Sequence, residues 1–285
     1  MPGGKRWWSW RRALLATGVL AALAGVWAVL VEPGWWRVDR TTVALPRLDP
    51  RLDGLKIAVL TDLHVGAPHI NLRELEEIVA ATNAASPDLV VILGDLVIHG
   101  VQGGTFVEPE PIAGRLAQLE APLGVVAVLG NHDWWYDGPR VTQALRDRDI
   151  VVLDDDAVAL EHTAPLWVAG VGDLWTRNHD IDRALRDVPP DATCVLITHN
   201  PDIFVDVPDR VALTLAGHTH GGQVRFPLVG APVVPSKYGN RFAADLVVED
   251  GRHLFVSVGI GTSILPVRFG VHPRVDLLTL EAPGT

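Results

Sequence analysis

The feature that most restricts how this chain can fold is a pattern met five times: a short, unbroken apolar run that stops at an aspartate, asparagine or histidine. Ile57–Thr61 runs into Asp62-Leu63-His64, Leu89–Leu93 into Gly94-Asp95, and Val125–Leu129 into Gly130-Asn131-His132-Asp133. Further on, Cys194–Thr198 meets His199-Asn200-Pro201, and Val211–Leu215 meets Ala216-Gly217-His218-Thr219-His220-Gly221. Continuous apolar runs of this length are the form of strands covered on both faces. Open α/β sheets gather ligands just beyond the C-terminal ends of such strands, where loops converge on a rigid frame. Five strand ends bearing the same residue types therefore predict one shared site.

The donors at these ends are carboxylate, amide and imidazole, with no thiolate among them. Such a set suits Mn, Fe or Zn rather than a structural zinc or a calcium loop. His218 and His220, one residue apart and framed by glycines, can turn both rings toward one point at little steric cost.

The order Asp-x-His, Gly-Asp, Gly-Asn-His-Asp, His and Gly-His-x-His, from Asp62 to His220, resembles the calcineurin-like metallophosphoesterases. Beyond it, Gly221-Gly222-Gln223, Ser236–Gly239 and Gly261–Gly270 are similar to the membrane-associated bacterial branch of that family, the YkuE-like phosphoesterases. The resemblance implies an α/β (α+β) fold, a four-layer sandwich of two mixed β-sheets flanked by helices. It implies two divalent metal ions (Mn, Fe or Zn), one on Asp62, His64 and His220, the other on Asn131, His199 and His218, with Asp95 bridging. Paired ions about 3.5 to 4 Å apart acidify a bridging water until hydroxide exists near neutral pH, and they clamp the phosphoryl oxygens during in-line attack. His132 would act as the acid for the leaving oxygen, and no covalent enzyme intermediate is expected.

The implied activity is hydrolysis of a phosphodiester or pyrophosphate, the substrate being a lipid or envelope precursor. A UDP-2,3-diacylglucosamine-type pyrophosphatase and a non-catalytic metal-binding envelope protein are the alternatives. Ile98 departs from two other branches, standing where purple acid phosphatases carry a tyrosine and protein phosphatases a carboxylate that orients the acid. That leaves Asp133 as the candidate partner of His132. Trp134 and Trp135 read as packing residues, and His69, His99, His162, His179, His253 and His272 as solvated ones. Arg268 and Lys237-Tyr238 are the candidates for contact with phosphate.

Ahead of this domain, Ala13–Val31 is uncharged, and its 19 residues at about 1.5 Å each nearly match the ~30 Å hydrocarbon core of a bilayer. Trp7, Trp8 and Trp10 precede it and Trp35 and Trp36 follow, the arrangement of aromatic belts. Lys5, Arg6, Arg11 and Arg12 place the N-terminus in the cytosol and the domain outside by the positive-inside rule. The competing reading is an export signal, with Arg11-Arg12 as a twin-arginine start and Ala22-Leu23-Ala24 as the cleavage site. Setting those four aside from the 24 basic residues leaves 20 against 34 acidic ones, a net charge of −14. A domain so acidic predicts no nucleic-acid partner; no protein partner is predicted either, and the membrane and a phosphate-ester or lipid-linked substrate remain. Cys194 stands alone, which excludes an intrachain disulfide.

Residues 1–36 are thus assigned to the basic segment and anchor, 37–53 to a linker with a first edge strand at Thr41–Leu45, and 54–285 to the domain. Asn71-Leu-Arg-Glu74 predicts a capping box opening a helix that Ser86-Pro87 ends. Further helices are expected near Pro111–Leu119 and Pro139–Arg146. After Ile150, the alternating runs Ala157–Leu160, Leu166–Val171, Val224–Phe226, Asp245–Val248, His253–Val258 and Val275–Leu280 predict strands of a second sheet, with Asp250-Gly251 as a hairpin turn.

Overall fold

All five apolar runs become strands whose residues are almost entirely buried, as runs covered on both faces must be. The structure is a computed structural model that describes the backbone of residues 4–284 and the side chains of residues 10–284. The expectations for Lys5, Arg6, Trp7 and Trp8 lie outside the described side chains.

The first sheet contains β1 (Arg37–Ala44), β2 (Lys56–Leu60), β3 (Leu89–Ile92), β4 (Val125–Ala127) and β5 (Val151–Val152). The second contains β6 (Asp156–Glu161), β7 (Pro165–Gly170), β8 (Thr193–Ile197), β9 (Leu213–Ala216), β10 (Asp245–Glu249) and β11 (Arg252–Val256). The last strand, β12 (Arg274–Glu281), returns to the first sheet, giving the orders β1-β12-β2-β3-β4-β5 and β10-β11-β9-β8-β7-β6. Strand β12 runs parallel to β1 and antiparallel to β2, so the expectation that Val275–Leu280 belongs to the second sheet is corrected. Its alternate residues Val275 and Leu277 face the helices while Leu278 and Leu280 enter the space between the sheets, so a buried strand in either sheet would read the same. Val224–Phe226 is likewise no strand. It makes only isolated bridges, Val224 with Phe269 and Phe226 with Gly230.

Three apolar layers hold the sandwich together. Ile57, Val59, Val91 and Leu278 of the first sheet meet Leu166, Val195, Leu215 and Phe255 of the second. The outer face of the first sheet packs under helices α2 (Leu72–Ala84), α3 (Pro109–Leu116) and α4 (Asn131–Arg146) through Leu75, Ile78, Ile112 and Leu145. The capping box at Asn71 and Glu74 is present. On the far face of the second sheet, Leu196, Ala216 and Leu254 pack with Ile203, Phe204 and Phe242. Asp250 and Gly251, both at positive φ, make the β10–β11 turn.

Helix α1 (Gly4–Val26) stands clear of the domain, with Leu14, Leu15, Val19, Leu20 and Leu23 exposed. Trp10–Gly34 has a mean hydropathy of 2.4 and is a candidate membrane span. Its end is built into the domain. The last turn, Trp27–Val31, widens to π-helical spacing, with Glu32 N–H reaching Trp27 O. Pro33 has no N–H to give. The carbonyls left over at a helix end need outside donors, and here Arg268 N–H takes Ala28 O at 2.9 Å and His69 Nε2–H takes Val29 O at 2.8 Å. Glu32 is buried and accepts from Val271 N–H and Trp27 Nε1–H.

Candidate metal centre

Each strand ends where its ligand begins, and the backbone there is bent sharply. Asp62, His64, Asp95, His218 and His220 all have φ between 43° and 69°. A non-glycine residue in this left-handed region is strained, and such strain collects at functional sites where the surroundings enforce it. Two glycines let the loops close on one another. A Cβ on Gly217 would come within 2.1 Å of Thr61 Oγ1, and one on Gly130 within 2.2 Å of Asp95 Oδ1.

The loops bring all seven predicted ligands together, buried. Asp62, His64 and His220 each offer a ligand atom within 4.8 Å of the others, as do Asp95, His199 and His218, and His64, Asp95 and His132. His64 Nε2 lies 3.2 Å from His220 Nε2, and His218 Nδ1 lies 3.1 Å from His199 Nε2. Asp95 Oδ2 stands between the groups, 3.6 Å from His64 Nε2 and 3.3 Å from His199 Nε2. Asn131 Oδ1 and His218 Nε2 are buried without a hydrogen-bond partner. Imidazole nitrogens and a carboxylate oxygen crowded on one another, with a buried Asn131 oxygen that has no donor, are what a cation would satisfy, so the donor set fits divalent metal.

Hydrogen bonds behind the ligands fix their orientation. His199 Nδ1–H donates to Leu93 O at 2.7 Å, which turns Nε2 inward. Asp62 Oδ2 accepts from Thr61 Oγ1–H and His218 N–H. Asn131 is the first residue of α4, and the N–H of His132 behind it donates to Asp95 Oδ1 at 2.8 Å. Burial opposes the charge on Asp95, but His199 above all, with His132 and His64, holds the carboxyl well below its usual range. Burial likewise opposes a charge on His199, and the Asp95 carboxylate overrides it, pushing His199 up to about 10. In His220, burial, then the His64 ring and the Arg268 guanidinium, keep the imidazole neutral.

The structure separates Asp133 from His132. Its carboxylate accepts the N–H groups of Asp95, Leu96, Val97 and Gly130, so it shapes the loop that carries Asp95. His132 instead has Ser263 Oγ 3.4 Å from Nε2, while its Nδ1 is unpartnered. Arg268 also takes another place than expected. Fully buried, it binds the carbonyls of Val258, Gly259 and Gly261, with Nη2 3.4 Å from His220 Nδ1, and does not face the cleft.

The cleft over the donors holds about 260 Å³ and is walled by Trp135, Trp175, Val233 and Ile264, with His99 at its edge. Trp135 thus lines the site, while Trp134 packs into the core and carries Arg177 on its face. Trp175, whose ring meets His218 edge to face with centroids 4.3 Å apart, and Ser263 were not foreseen, because neither follows one of the five strands.

Fold and donor set together define a metal-dependent hydrolase of phosphoric esters. Residues 55–222 match the calcineurin-like phosphoesterase family, and the chain belongs to it. Among its relatives is the metallophosphoesterase YkuE of Bacillus subtilis, whose function is uncharacterized, at 28% identity over 94% of each chain. The phosphodiesterase YaeI of Escherichia coli is 29% identical over 95% of this chain and 98% of its own. The UDP-2,3-diacylglucosamine pyrophosphatase LpxG of Chlamydia trachomatis is 26% identical over 92% of this chain and 95% of its own.

Proposed function

We propose that this protein is a membrane-anchored phosphodiesterase or pyrophosphatase with a two-metal centre, acting on a lipid or envelope precursor outside the cytoplasmic membrane. The observation that carries the reading is that Asp95 Oδ2 lies 3.6 Å from His64 Nε2 of one donor group and 3.3 Å from His199 Nε2 of the other, the position a bridging carboxylate needs. Asp62, His64 and His220 would hold one ion, Asn131, His199 and His218 the other. When bound, a pair of divalent ions (Mn, Fe or Zn) supplies Lewis acidity, acidifying water and drawing charge from the phosphoryl oxygens.

The chain's own residues do the rest. Water attacks phosphorus and gives up a proton to solvent, one P–O bond breaks, and His132, with Ser263 Oγ beside its Nε2, passes a proton to the departing oxygen and takes one back from solvent. Trp135 and Trp175 exclude water from one side of the cleft. The basic residues Arg11 and Arg12 ahead of the uncharged run Ala13–Val31 favour a cytosolic N-terminus and an outward domain. The relative named as a pyrophosphatase supports a diphosphate as one form of the substrate.

The test uses the full chain in detergent, loaded in turn with Mn, Zn and Fe and assayed on bis(p-nitrophenyl) phosphate and p-nitrophenyl phosphate. Diester turnover that Asp95→Asn abolishes is expected. Metal binding with neither ester cleaved would overturn the reading.

A further inference from the structure

The mouth of the cleft carries an apolar surface that neither the fold nor the chemistry requires. Phe226, Leu228, Val229, Val233, Ile264 and Leu265 are all exposed, Leu228 completely so. They come from two loops tied side by side. Gln223 takes Ser263 N–H on Oε1 and gives its own amide to Leu265 O, Phe269 N–H reaches Gln223 O, and the rings of Phe226 and Phe269 lie 5.7 Å apart. Val233 and Ile264 are also walls of the cleft, so the surface is continuous with the site.

Leu228 is the telling residue. It sits at φ 67°, a left-handed conformation that a branched aliphatic side chain disfavours, at the tip of the turn closed by Phe226 and Gly230. Glycine or asparagine is the ordinary occupant of such a position, and a polar one at a solvent-facing tip. A strained, fully exposed leucine between Pro227 and Val229 needs an apolar environment from outside the domain.

The anchor identifies that environment. Arg268 N–H is bonded to Ala28 O, so the strand of chain that carries Ile264 and Leu265 meets the span itself. The span Trp10–Gly34 has 25 residues, whereas a core about 30 Å thick takes about twenty. Counted from Ala13, where the uncharged run begins, about twenty residues end at Glu32, so Ala28 lies about one helical turn short of the far boundary, and the loops bonded there lie where hydrocarbon gives way to lipid headgroups.

We infer that the Phe226–Val229 turn and Ile264-Leu265 dip into the bilayer beside the anchor, so that the cleft opens onto the lipid surface and takes its phosphoester from an amphiphile still held in the membrane. The substrate part of this inference rests on the phosphoesterase reading above; the membrane contact does not. Large apolar side chains at the interface, next to a span, add binding in proportion to the area they bury. The headgroup phosphate reaches the donors while the tail remains in lipid.

The experiment uses the full chain with Cys194→Ala, carrying a single cysteine at Leu228 or, as a control, at Glu161, the last residue of β6, at the opposite end of the sheets. Each is labelled with an environment-sensitive fluorophore and reconstituted into phosphatidylcholine vesicles with and without doxyl-labelled phosphatidylcholine. Quenching at 228 several-fold stronger than at 161 is expected, and equal quenching at the two positions overturns the inference. A second arm compares Leu228→Asp with the unaltered chain, since aspartate accepts the left-handed backbone better than leucine does. Hydrolysis of bis(p-nitrophenyl) phosphate in solution stays unchanged, while that of p-nitrophenyl hexadecyl phosphate dispersed in the vesicles falls about tenfold. An equal rate on the vesicle-borne ester overturns the substrate claim. Loss of turnover on both esters by the unaltered chain, with quenching at 228 intact, tells against the phosphoesterase reading alone.

Discussion

His64 and His220 lie 156 residues apart in the chain, yet their Nε2 atoms are 3.2 Å from each other. Both rings are buried, and burial pulls His64 down to about 3 and holds His220 well below its usual value, so neither takes up a proton readily. Two neutral ring nitrogens this close, beside the Asp62 carboxylate, can share one cation. Chelation is therefore expected to lower the thermal midpoint, and added Mn, Zn or Fe to restore it. An ion at about 100 times its Kd contributes about 2.7 kcal/mol, or about 5 to 10 °C in a chain this size. Calorimetry before and after dialysis against a chelator measures it; an unmoved midpoint would count against metal in this site.

The metal-free chain has a definite alkaline limb. The folded pKa of His199, about 10, lies above the ordinary value of 6.5. Its contribution to stability is therefore complete below pH 6.5 and disappears as pH climbs to about 10. In that window chelated protein should lose up to about 1.4 kcal/mol per pH unit. Metal affinity should move the other way, since His199 must give up its proton to bind. Urea titrations from pH 7 to 10 test this, and His199→Gln should flatten the slope. An unchanged slope in that variant would remove His199 as its source.

Asp133 supports the centre without touching it. Four backbone N–H groups end on its carboxylate, and one of them belongs to Asp95 itself. Asp133→Ala leaves those donors buried and unpaired, at about 1 to 3 kcal/mol for each that finds no water, so a loss of about 4 kcal/mol or more is expected. Asp133→Asn keeps one acceptor and sets an amide N–H₂ against two N–H groups, for a smaller loss of about 2 to 3 kcal/mol. Denaturant melts rank the two variants. Equal stability of Asp133→Ala and the unaltered chain would show that the loop holds its shape by other means.

The seven candidate donors could be picked out because each follows an apolar run, and runs of that kind keep their meaning whichever sheet they join. What sequence could not show was the set of contacts made across the chain. Asp133 stands next to His132, yet on the first turn of α4 its side chain points back to the Asp95 loop. Ser263, Trp175 and Arg268 reach the centre from loops with no periodicity to announce them. Strand β5 is two residues long, too short to register as alternation. The π-helical turn at Trp27–Val31 looked like uninterrupted helix because the donors that take its carbonyls, His69 and Arg268, lie far along the chain.

Trp175 and Trp135 should govern how an aromatic or apolar leaving group sits. Their rings wall the cleft at centroids 6.3 Å apart. Trp175→Ala removes apolar contact that ground state and transition state share, which raises KM and spares kcat. A rise in KM of about tenfold on bis(p-nitrophenyl) phosphate is expected from the area lost. Should kcat fall instead with KM unchanged, Trp175 acts by holding the His218 ring in place.

Arg268 joins the two halves of this protein's design. Its guanidinium binds the carbonyls of Val258, Gly259 and Gly261 behind His220, while its own N–H holds the end of the N-terminal apolar helix at Ala28. Burial lowers its pKa to about 10, and Asp62 and Glu32 oppose that fall, so it stays charged at neutral pH. Arg268→Met keeps the backbone bond to Ala28 but leaves three carbonyls short of donors and Asp62 and Glu32 short of a countercharge. A loss of about 3 to 5 kcal/mol is expected, with metal affinity weakened by about 10 to 100-fold because His220 loses its support. Arg268→Lys returns the charge without the fork of donors, so it should recover part of the affinity and little of the stability. Metal titration of both variants in detergent separates these effects: affinity untouched in Arg268→Met would mean that His220 is positioned by its own loop alone.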